Sequence, residues 1–309
     1  MSRVDVSAIV ISLNSRRFLR DCLDTLRRGP WRNVTYEIVV ADNGSTDGST
    51  GLVREFYPDV RLLEIGRNIG FCPAGNLAAR EASGRYLLFL NDDILVRDDA
   101  IACLVEWMDD HPAAGVIGSR LLNADGTDQF SSGRTFPTPM NALFGRKSVL
   151  TKLFPNARWA RRYLLSDRVN EAEPYAVDWV SAAAMLVRRK AFENAGGLAE
   201  DFYYFHEMVI CAQCRQAGYT VWLHPASKIV HYEGAGSGRR TRRVRRKHIQ
   251  EFHRAAYRWY CLHCGLGRWN PLRALAAAVL AARAAALIAA DGLRPGPRKD
   301  DRPEGGTAM

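Results

Sequence analysis

The stretch Tyr86-Leu87-Leu88-Phe89-Leu90-Asn91-Asp92-Asp93-Ile94-Leu95-Val96 decides the fold class. An apolar run of strand length stops abruptly at three polar residues, as a strand buried on both faces does when it reaches the edge of a sheet. Outward from it the same grammar repeats. Val4 to Ile11 is rich in Val and Ile and ends at Ser12 to Asn14, after which Phe18, Leu19, Cys22, Leu23 and Leu26 recur at helical spacing. Tyr36 to Ala41 is a second β-branched run, closed by Asp42-Asn43-Gly44-Ser45-Thr46-Asp47-Gly48, and a helix toward Phe56 starts from that turn cluster. Val60 to Ile65 reads as a short third strand, Gly75 to Ala82 as a helix and Arg85 to Leu90 as a fourth strand. Strands alternating with helices predict an α/β, Rossmann-like and mostly parallel sheet with helices on both faces. Ligands of such sheets lie beyond the carboxyl ends of the strands, and here those ends carry Asn14, Asp42 and Asn91-Asp92-Asp93.

The second half is less regular. Pro112 to Ala176 reads as further sheet edge plus a long loop, Trp179 to Arg188 as a strand, Glu200 to Gly218 as a turn and helix, and Thr220 to Tyr232 as strand and loop. A helix from Ile249 to Cys264 and an alanine-biased helix from Leu272 to Leu293 follow. The expected domains are an α/β domain over 1–238, a basic and helical C-terminal extension over 239–293, and a disordered tail over 294–309, where Pro, Gly and charge dominate.

With 309 residues, 47% hydrophobic and 25% charged, the chain is globular rather than disordered. Seven of the nine residues from Arg239 to Lys247 are Arg or Lys, and removing those seven cations from the formal charge of +10 leaves +3. The basicity belongs to one segment, which favours a surface of phosphates, in lipid headgroups or nucleic acid. It lacks interleaved aromatics, so no nucleic acid is expected and a membrane surface fits better. No apolar run reaches the roughly 18 uninterrupted residues of a membrane span, and the N-terminus enters a strand directly, so a cytoplasmic protein is expected. Seven cysteines fit reduced thiols. Cys211/Cys214 and Cys261/Cys264 form two CxxC pairs, but both lie on predicted helices without a Gly or Pro knuckle, which favours core cysteines over zinc ligands.

Adjacent carboxylates at a strand end suit a hard divalent cation such as Mg²⁺ or Mn²⁺ bridging to a diphosphate. In isolation Asn91-Asp92-Asp93 is equally a turn that caps the next element, and so is Asp42-Asn43-Gly44-Ser45. Asn68-Ile69-Gly70-Phe71 with Gly75-Asn76 adds a Gly-rich loop opening a helix, where backbone N–H groups can meet an anion.

In order and spacing these residues resemble the family 2 glycosyltransferases of the GT-A fold, in particular a bacterial rhamnosyltransferase-like branch. The matching pieces are Ile9 to Asn14, Val40 to Ser49, Asn68 to Phe71 with Gly75-Asn76, Leu90 to Asp93, Val177 to Arg189, Gly196-Gly197-Leu198, Ala217-Gly218-Tyr219 and His231 to Gly234. Phe252 to Leu272, with Tyr260, His263 and Asn270-Pro271, is also similar to that branch. The resemblance implies a nucleotide-sugar donor bound by Asn14, Asp42, Asn68, Gly75, Asn76 and Asp92, with Asp42 accepting the ring N–H of the base. It implies a Mg²⁺ or Mn²⁺ ion on the diphosphate, held by Asp93 with Asp92 beside it and by His231, and an acceptor side that includes Asp178 and Trp179. The acceptor implied is a glycan or polyprenyl-linked sugar, and Arg239 to Lys247 would meet its diphosphate or the inner face of the membrane. The reaction implied inverts the anomeric centre, a carboxylate deprotonating the acceptor hydroxyl.

The base is where this chain departs from the family. Counting forward from Glu200-Asp201-Phe202 puts Glu207 and Met208 on the family's Glu-Asp pair, whereas counting backward from Ala217-Gly218-Tyr219 puts His206 and Glu207 there. Glu207 is favoured as the base because it is the nearby carboxylate at that helix start. Ala182 and Ala199 also replace residues usual in the family, Gly and Asp, and Val209 or Ile210 a second Asp, so altered acceptor specificity or a degenerate site is the competing expectation.

Overall fold

The structure is a computed structural model that describes residues 4–29, 31–129, 132–138, 161, 163, 165–168, 170–232, 242–263, 265, 267 and 269–292. The chain divides into two compact units, Met1–Gly238 and Arg239–Met309. The expected tail over 294–309, residues 139–160 of the expected long loop, and Arg239 to Thr241 lie outside the described residues.

In the first unit, β1 (Val6–Ser12), β2 (Tyr36–Asp42), β3 (Arg61–Glu64) and β4 (Tyr86–Asn91) form a parallel array in the order β3-β2-β1-β4. Beyond β4 the sheet continues with β10 (Ala184–Arg188), β6 (Ala114–Leu122), β11 (Thr220–His231) and β5 (Ile94–Val96). β6 and β11 are parallel to one another, while β10 runs antiparallel to both β4 and β6. β8 (Tyr175–Ala176) pairs with β11, and β7 (Gly133–Arg134) pairs with β9 (Trp179–Val180) in a small second sheet.

All seven residues of β1 are buried, as a central strand covered on both faces requires. On one face Val6, Ala8 and Val10 join Leu19, Leu23 and Leu26 of α1 (Arg16–Arg27), Leu52 and Val53 of α2 (Ser49–Phe56), and Ile101, Leu104 and Met108 of α4 (Ala100–Asp110). The other face packs against α3 (Phe71–Glu81) and α5 (Arg189–Asn194): a Cβ added at Gly75 would lie 3.4 Å from Phe89 and 3.7 Å from Ile11, and Phe89 meets Phe192 with ring centroids 5.5 Å apart. α6 (His206–Gln216) completes the unit.

Several expectations are corrected. Ala114–Leu122 is an interior strand between β10 and β11, not sheet edge; its Val116, Ile117 and Leu121 are fully buried. Trp179 to Arg188 is two strands separated by a turn, in which the Ser181 hydroxyl accepts from Ala183 N and the Ala183 carbonyl from Asn91 N. α3 begins at Phe71, four residues before the expected start.

The second unit is a pair of 22-residue helices, α7 (Arg242–His263) and α8 (Pro271–Gly292). The described part of the basic run is helical, forming the first turns of α7. No uninterrupted apolar run of 18 residues is present in α8, yet the helix has a mean hydropathy of 1.8 over 18 residues and is long enough to cross a membrane by length and composition. Arg283 interrupts its apolar run without lowering the average enough to exclude it.

Candidate active site

β1, β2 and β4 all end at the same edge, and the antiparallel sense of β10 brings the carboxyl ends of β6 and β11 there too. Topology therefore collects Ser12 to Asn14, Asp42 to Ser45, Asn91 to Asp93, Gln129 and His231 along one rim.

Asp42 is 3% exposed. Its Oδ2 accepts from Gly44 N at 3.2 Å and Ser45 N at 3.0 Å, which folds the exit of β2 back on itself, while its buried Oδ1 has no hydrogen-bond partner. A buried acceptor left over costs free energy unless a ligand donor meets it. Buried Asn43 ties this turn to the next loop: its Oδ1 accepts from Ile69 N at 2.8 Å and its Nδ2 donates to Asn68 Oδ1 at 3.2 Å. The two loops approach so closely that a Cβ on Gly44, at φ +86°, would stand 2.7 Å from the Arg67 backbone.

The other expected donor residues divide by their contacts. Asn14, at φ 51°, accepts from Thr46 N at 2.7 Å through Oδ1 and donates its own N–H to Ser45 Oγ, so it binds the β1 exit to the β2 exit. Asn68 is shared between Asn43 and Gly70 N. Gly75 and Asn76 lie against the Gly197-Leu198 turn: Asn76 Nδ2 donates to the Leu198 carbonyl and to Glu200 Oε1, both at 2.9 Å, and its Oδ1 accepts from Leu198 N. A Cβ at Gly75 would meet Leu198 Cδ1 at 2.9 Å. Both residues are thus committed to packing within the protein.

At the end of β4 the two carboxylates point to different neighbours. Asp92 Oδ2 accepts from Leu13 N at 3.3 Å. Burial pushes the Asp92 carboxyl up to about 6, with the Asp93 charge adding to the rise and the Ser12 and Ser15 hydroxyls and Leu13 N–H opposing it. Asp93, 8% exposed, turns instead to β11, where its Oδ1 stands 3.3 Å from His231 Nε2. The His231 ring is oriented by Gln129, whose Oε1 is 3.0 Å from His231 Nδ1 and whose Nε2 donates to the His231 carbonyl. That pair of contacts places the ring proton on Nδ1. Asn91 Nδ2 donates toward Nε2 at 3.3 Å, which agrees. His231 Nε2, the acceptor for Asn91, thus stands in a buried place beside Asp93 Oδ1, which has no hydrogen-bond partner, and an acceptor on the other ring nitrogen is how metal-binding histidines are commonly held. Among the described residues no group of three His, Cys, Asp or Glu side chains comes together, so this pair would leave the remaining positions of an ion to diphosphate oxygens and water.

The loop before α3 and the start of α6 meet at the same rim: the Phe71 and His206 rings are 4.8 Å apart, and Cys72 Sγ lies 3.7 Å from the Phe202 carbonyl. Glu207 stands in the first turn of α6, its side chain 22% exposed and Oε2 3.6 Å from His206 Nδ1. Met208 and Val209 are buried in the core at 1% and 8% exposure. Burial pushes the Cys72 thiol up to about 12, and the charges of Glu207 and Glu200 add to the rise.

Asp178 and Trp179 form a clamp on the segment at 133–138. Asp178 Oδ2 accepts from Phe136 N at 2.8 Å, its Oδ1 pairs with Arg215, and Trp179 Nε1 donates to the Thr135 carbonyl at 3.0 Å. Trp179 is 6% exposed and lies under the Arg134 guanidinium. Cys211 and Cys214 are buried, and burial raises both thiols, that of Cys214 to about 12; Cys264 lies outside the described residues. Sequence reasoning does not single out Gln129, Asn43 or Asn91 individually, since Gln and Asn near a turn carry no spacing signal of their own.

A parallel array continued by antiparallel β10, with acidic residues at the strand ends, defines a nucleotide-sugar transferase fold of the GT-A kind. The family model described as Glycosyl transferase family 2 matches residues 7–195, more than half of the chain, and the protein belongs to that family. It is a glycosyltransferase. It is 28% identical over 232 residues to the N-acetylglucosaminyl-diphospho-decaprenol L-rhamnosyltransferase of Mycobacterium tuberculosis (strain ATCC 25618 / H37Rv), covering 71% of this chain and 73% of that one. Among solved structures it is similar to the mannosyltransferase PcManGT from Pyrobaculum calidifontis, in complex with GDP-Man and Mn²⁺, with a TM-score of 0.57 and 20% identity over 94% of this chain and 80% of that one. It is also similar to S. aureus TarS 1-349, with a TM-score of 0.52 and 14% identity over 80% of this chain and 65% of that one. These two likenesses show the fold, and the chain spans just under two thirds of the TarS fragment.

Proposed function

We propose that the protein is an inverting, metal-dependent glycosyltransferase that moves a sugar, rhamnose being favoured, from a nucleotide-sugar donor to a lipid-linked or cell-surface glycan acceptor. The observation that carries the reading is the buried pair of Asp93 and His231, with Asp93 Oδ1 unpartnered 3.3 Å from His231 Nε2, on the rim that also holds the unpartnered Asp42 Oδ1. The mycobacterial relative, named for rhamnosyl transfer to a decaprenyl diphosphate-linked sugar, supports the choice of sugar and acceptor.

Asp42 Oδ1 would accept the ring N–H of the base. Asp93 and His231 would hold Mn²⁺ or Mg²⁺, which when bound supplies positive charge to the leaving diphosphate. Glu207 would take the proton of the acceptor hydroxyl as that oxygen attacks the anomeric carbon from the face opposite the diphosphate. The new C–O bond forms as the bond to the diphosphate breaks, the electron pair leaving with the phosphate oxygen, and the configuration inverts. The acceptor side is assigned to Asp178, Trp179 and the segment they clamp. Arg239 to Lys247 would keep the enzyme at the inner face of the cell membrane, on the cytoplasmic side.

A second reading is favoured by Met208 and Val209: both are buried, so a base required at either position is absent and the protein would bind nucleotide sugar without turnover. A panel of dTDP-, UDP- and GDP-sugars, each assayed for binding and nucleotide release with and without Mn²⁺, separates these readings. Metal-dependent release from one donor supports transfer and identifies the sugar. Binding without release, with polyprenyl-linked acceptor present, supports the second reading, and no binding of any donor overturns both.

A further inference from the structure

The C-terminal unit carries a helix face that its partner helix leaves uncovered. α7 and α8 run antiparallel and are tied along their length: Arg245 Nε donates to Asp291 Oδ1 at 2.9 Å, Arg283 Nη1 lies 3.0 Å from His253 Nε2, and Arg273 reaches Tyr257. Only one flank of α8 is engaged. Leu272, Leu275, Val279 and Leu287 are 48%, 60%, 55% and 41% exposed, and they fall on one side of the helix. Between Ala274 and Ala290 the sole charged residue is Arg283, whose guanidinium is turned onto His253. A contiguous apolar face of this length is a binding surface rather than ordinary solvent-facing surface.

The occupant is argued from charge. Arg242, Arg243, Arg246 and Lys247 are exposed in the first two turns of α7, and the Arg242 guanidinium lies beside Gly292 at the last turn of α8. An anionic bilayer complements these cations, each Lys or Arg near such a surface being worth about 1 kcal/mol. A helix of 22 residues is about 33 Å long, near the thickness of a hydrocarbon core, so length alone would permit α8 to cross. Its bonds to α7 argue otherwise. Crossing would either break the Arg245–Asp291 and Arg283–His253 contacts or draw the charged α7 into hydrocarbon.

We propose that the α7–α8 pair lies flat in the headgroup boundary of an anionic bilayer, with the Leu275 and Val279 face of α8 immersed and the basic turns of α7 on the lipid phosphates. This deepens the membrane contact proposed above and does not depend on the donor chemistry.

The test is flotation of the full-length protein with vesicles of phosphatidylcholine, with or without phosphatidylglycerol. Wild type is expected to float with the phosphatidylglycerol vesicles and to be released by alkaline carbonate. The double variant Leu275→Glu, Val279→Glu, both sites exposed, is expected to bind at least about tenfold more weakly, with unchanged circular dichroism and unchanged donor hydrolysis in vesicle-free buffer. Three outcomes overturn the proposal: vesicle binding unaffected by the double variant, carbonate-resistant insertion of wild type, or a wild-type dimer that the double variant dissociates while neither protein floats. Loss of donor hydrolysis in wild type would count against the transferase reading alone.

Discussion

His231 and Gln129 hold one another through two opposed contacts, the ring Nδ1 against Gln129 Oε1 at 3.0 Å and Gln129 Nε2 on the His231 carbonyl. The amide can satisfy both only in one orientation, which sets the ring with Nε2 as an acceptor beside Asn91 Nδ2 and 3.3 Å from Asp93 Oδ1. Gln129 is thus a positioning residue for the proposed ion. Gln129→Ala is expected to weaken Mn²⁺ binding by roughly 10- to 100-fold, as loss of the group that orients a metal-binding histidine commonly does. Electron paramagnetic resonance titration of free Mn²⁺ measures this without turnover. Equal affinity in the variant would remove Gln129 from the account.

Asp42→Asn tests the base-binding carboxylate. Its amide oxygen is expected to stay on the Gly44 and Ser45 N–H groups, which turns an NH₂ toward the place of Oδ1 and sets donor against donor. Hydrogen bonds to charged groups are worth about 1.5–3 kcal/mol, so nucleotide affinity should fall by roughly 10- to 100-fold with little change in thermal stability. Calorimetric titration with the preferred nucleoside diphosphate gives the answer; unchanged affinity would mean that Oδ1 meets no ligand.

Glu207→Gln should lower kcat by about 10²- to 10⁴-fold while leaving donor affinity intact, as removal of a general base does. Met208→Asp should not restore a base. The Met208 side chain is 1% exposed, so the variant places a carboxylate in the core and is expected to melt earlier without gaining activity. Activity restored to Glu207→Gln by adding Met208→Asp would shift the base by one residue.

At the opposite edge, Arg85 joins Asp5, at 2.7 Å, to Asp109, at 2.7 Å from Nη2 to Oδ2, and Tyr86 OH also donates to Asp109. The Arg85 guanidinium holds the Asp109 carboxyl below its ordinary value. A depressed carboxylate contributes stability that is full above its unfolded value, about 4, and is lost as pH falls through the folded value. Urea midpoints should therefore drop below about pH 4, and Arg85→Met should flatten that dependence. An identical pH profile in the variant would exclude the network as its source.

The parallel half of the sheet is legible in the sequence because buried strands read as continuous apolar runs and their ends as polar clusters, from Ile9 to Asp42 to Asp93. The interior place of β6 is not, because a strand that enters the sheet beside antiparallel β10 carries no local mark of its neighbours. The site divides in the same way. Asp93 with His231 is a pairing across 138 residues that family resemblance indicates and the fold brings to 3.3 Å. Asn14, Gly75 and Asn76 stand in the expected motifs, yet their contacts are within the protein, since small and amide side chains serve tight turns as readily as ligands. Arg188 and Arg189 show the same ambiguity. They end a family motif, and their guanidiniums cap carbonyls at the far edge, those of Ala114 and Met108 for Arg188 and of Gly84 and Ala82 for Arg189.

The central claim is that Asp93 and His231 hold a divalent ion on a nucleotide diphosphate. It is tested most directly by titrating wild type and Asp93→Asn with UDP, GDP and dTDP, with and without Mn²⁺. The account predicts that Mn²⁺ tightens binding of one nucleotide to wild type by at least about tenfold and has no such effect on Asp93→Asn. Nucleotide binding to wild type that is indifferent to Mn²⁺ would contradict it.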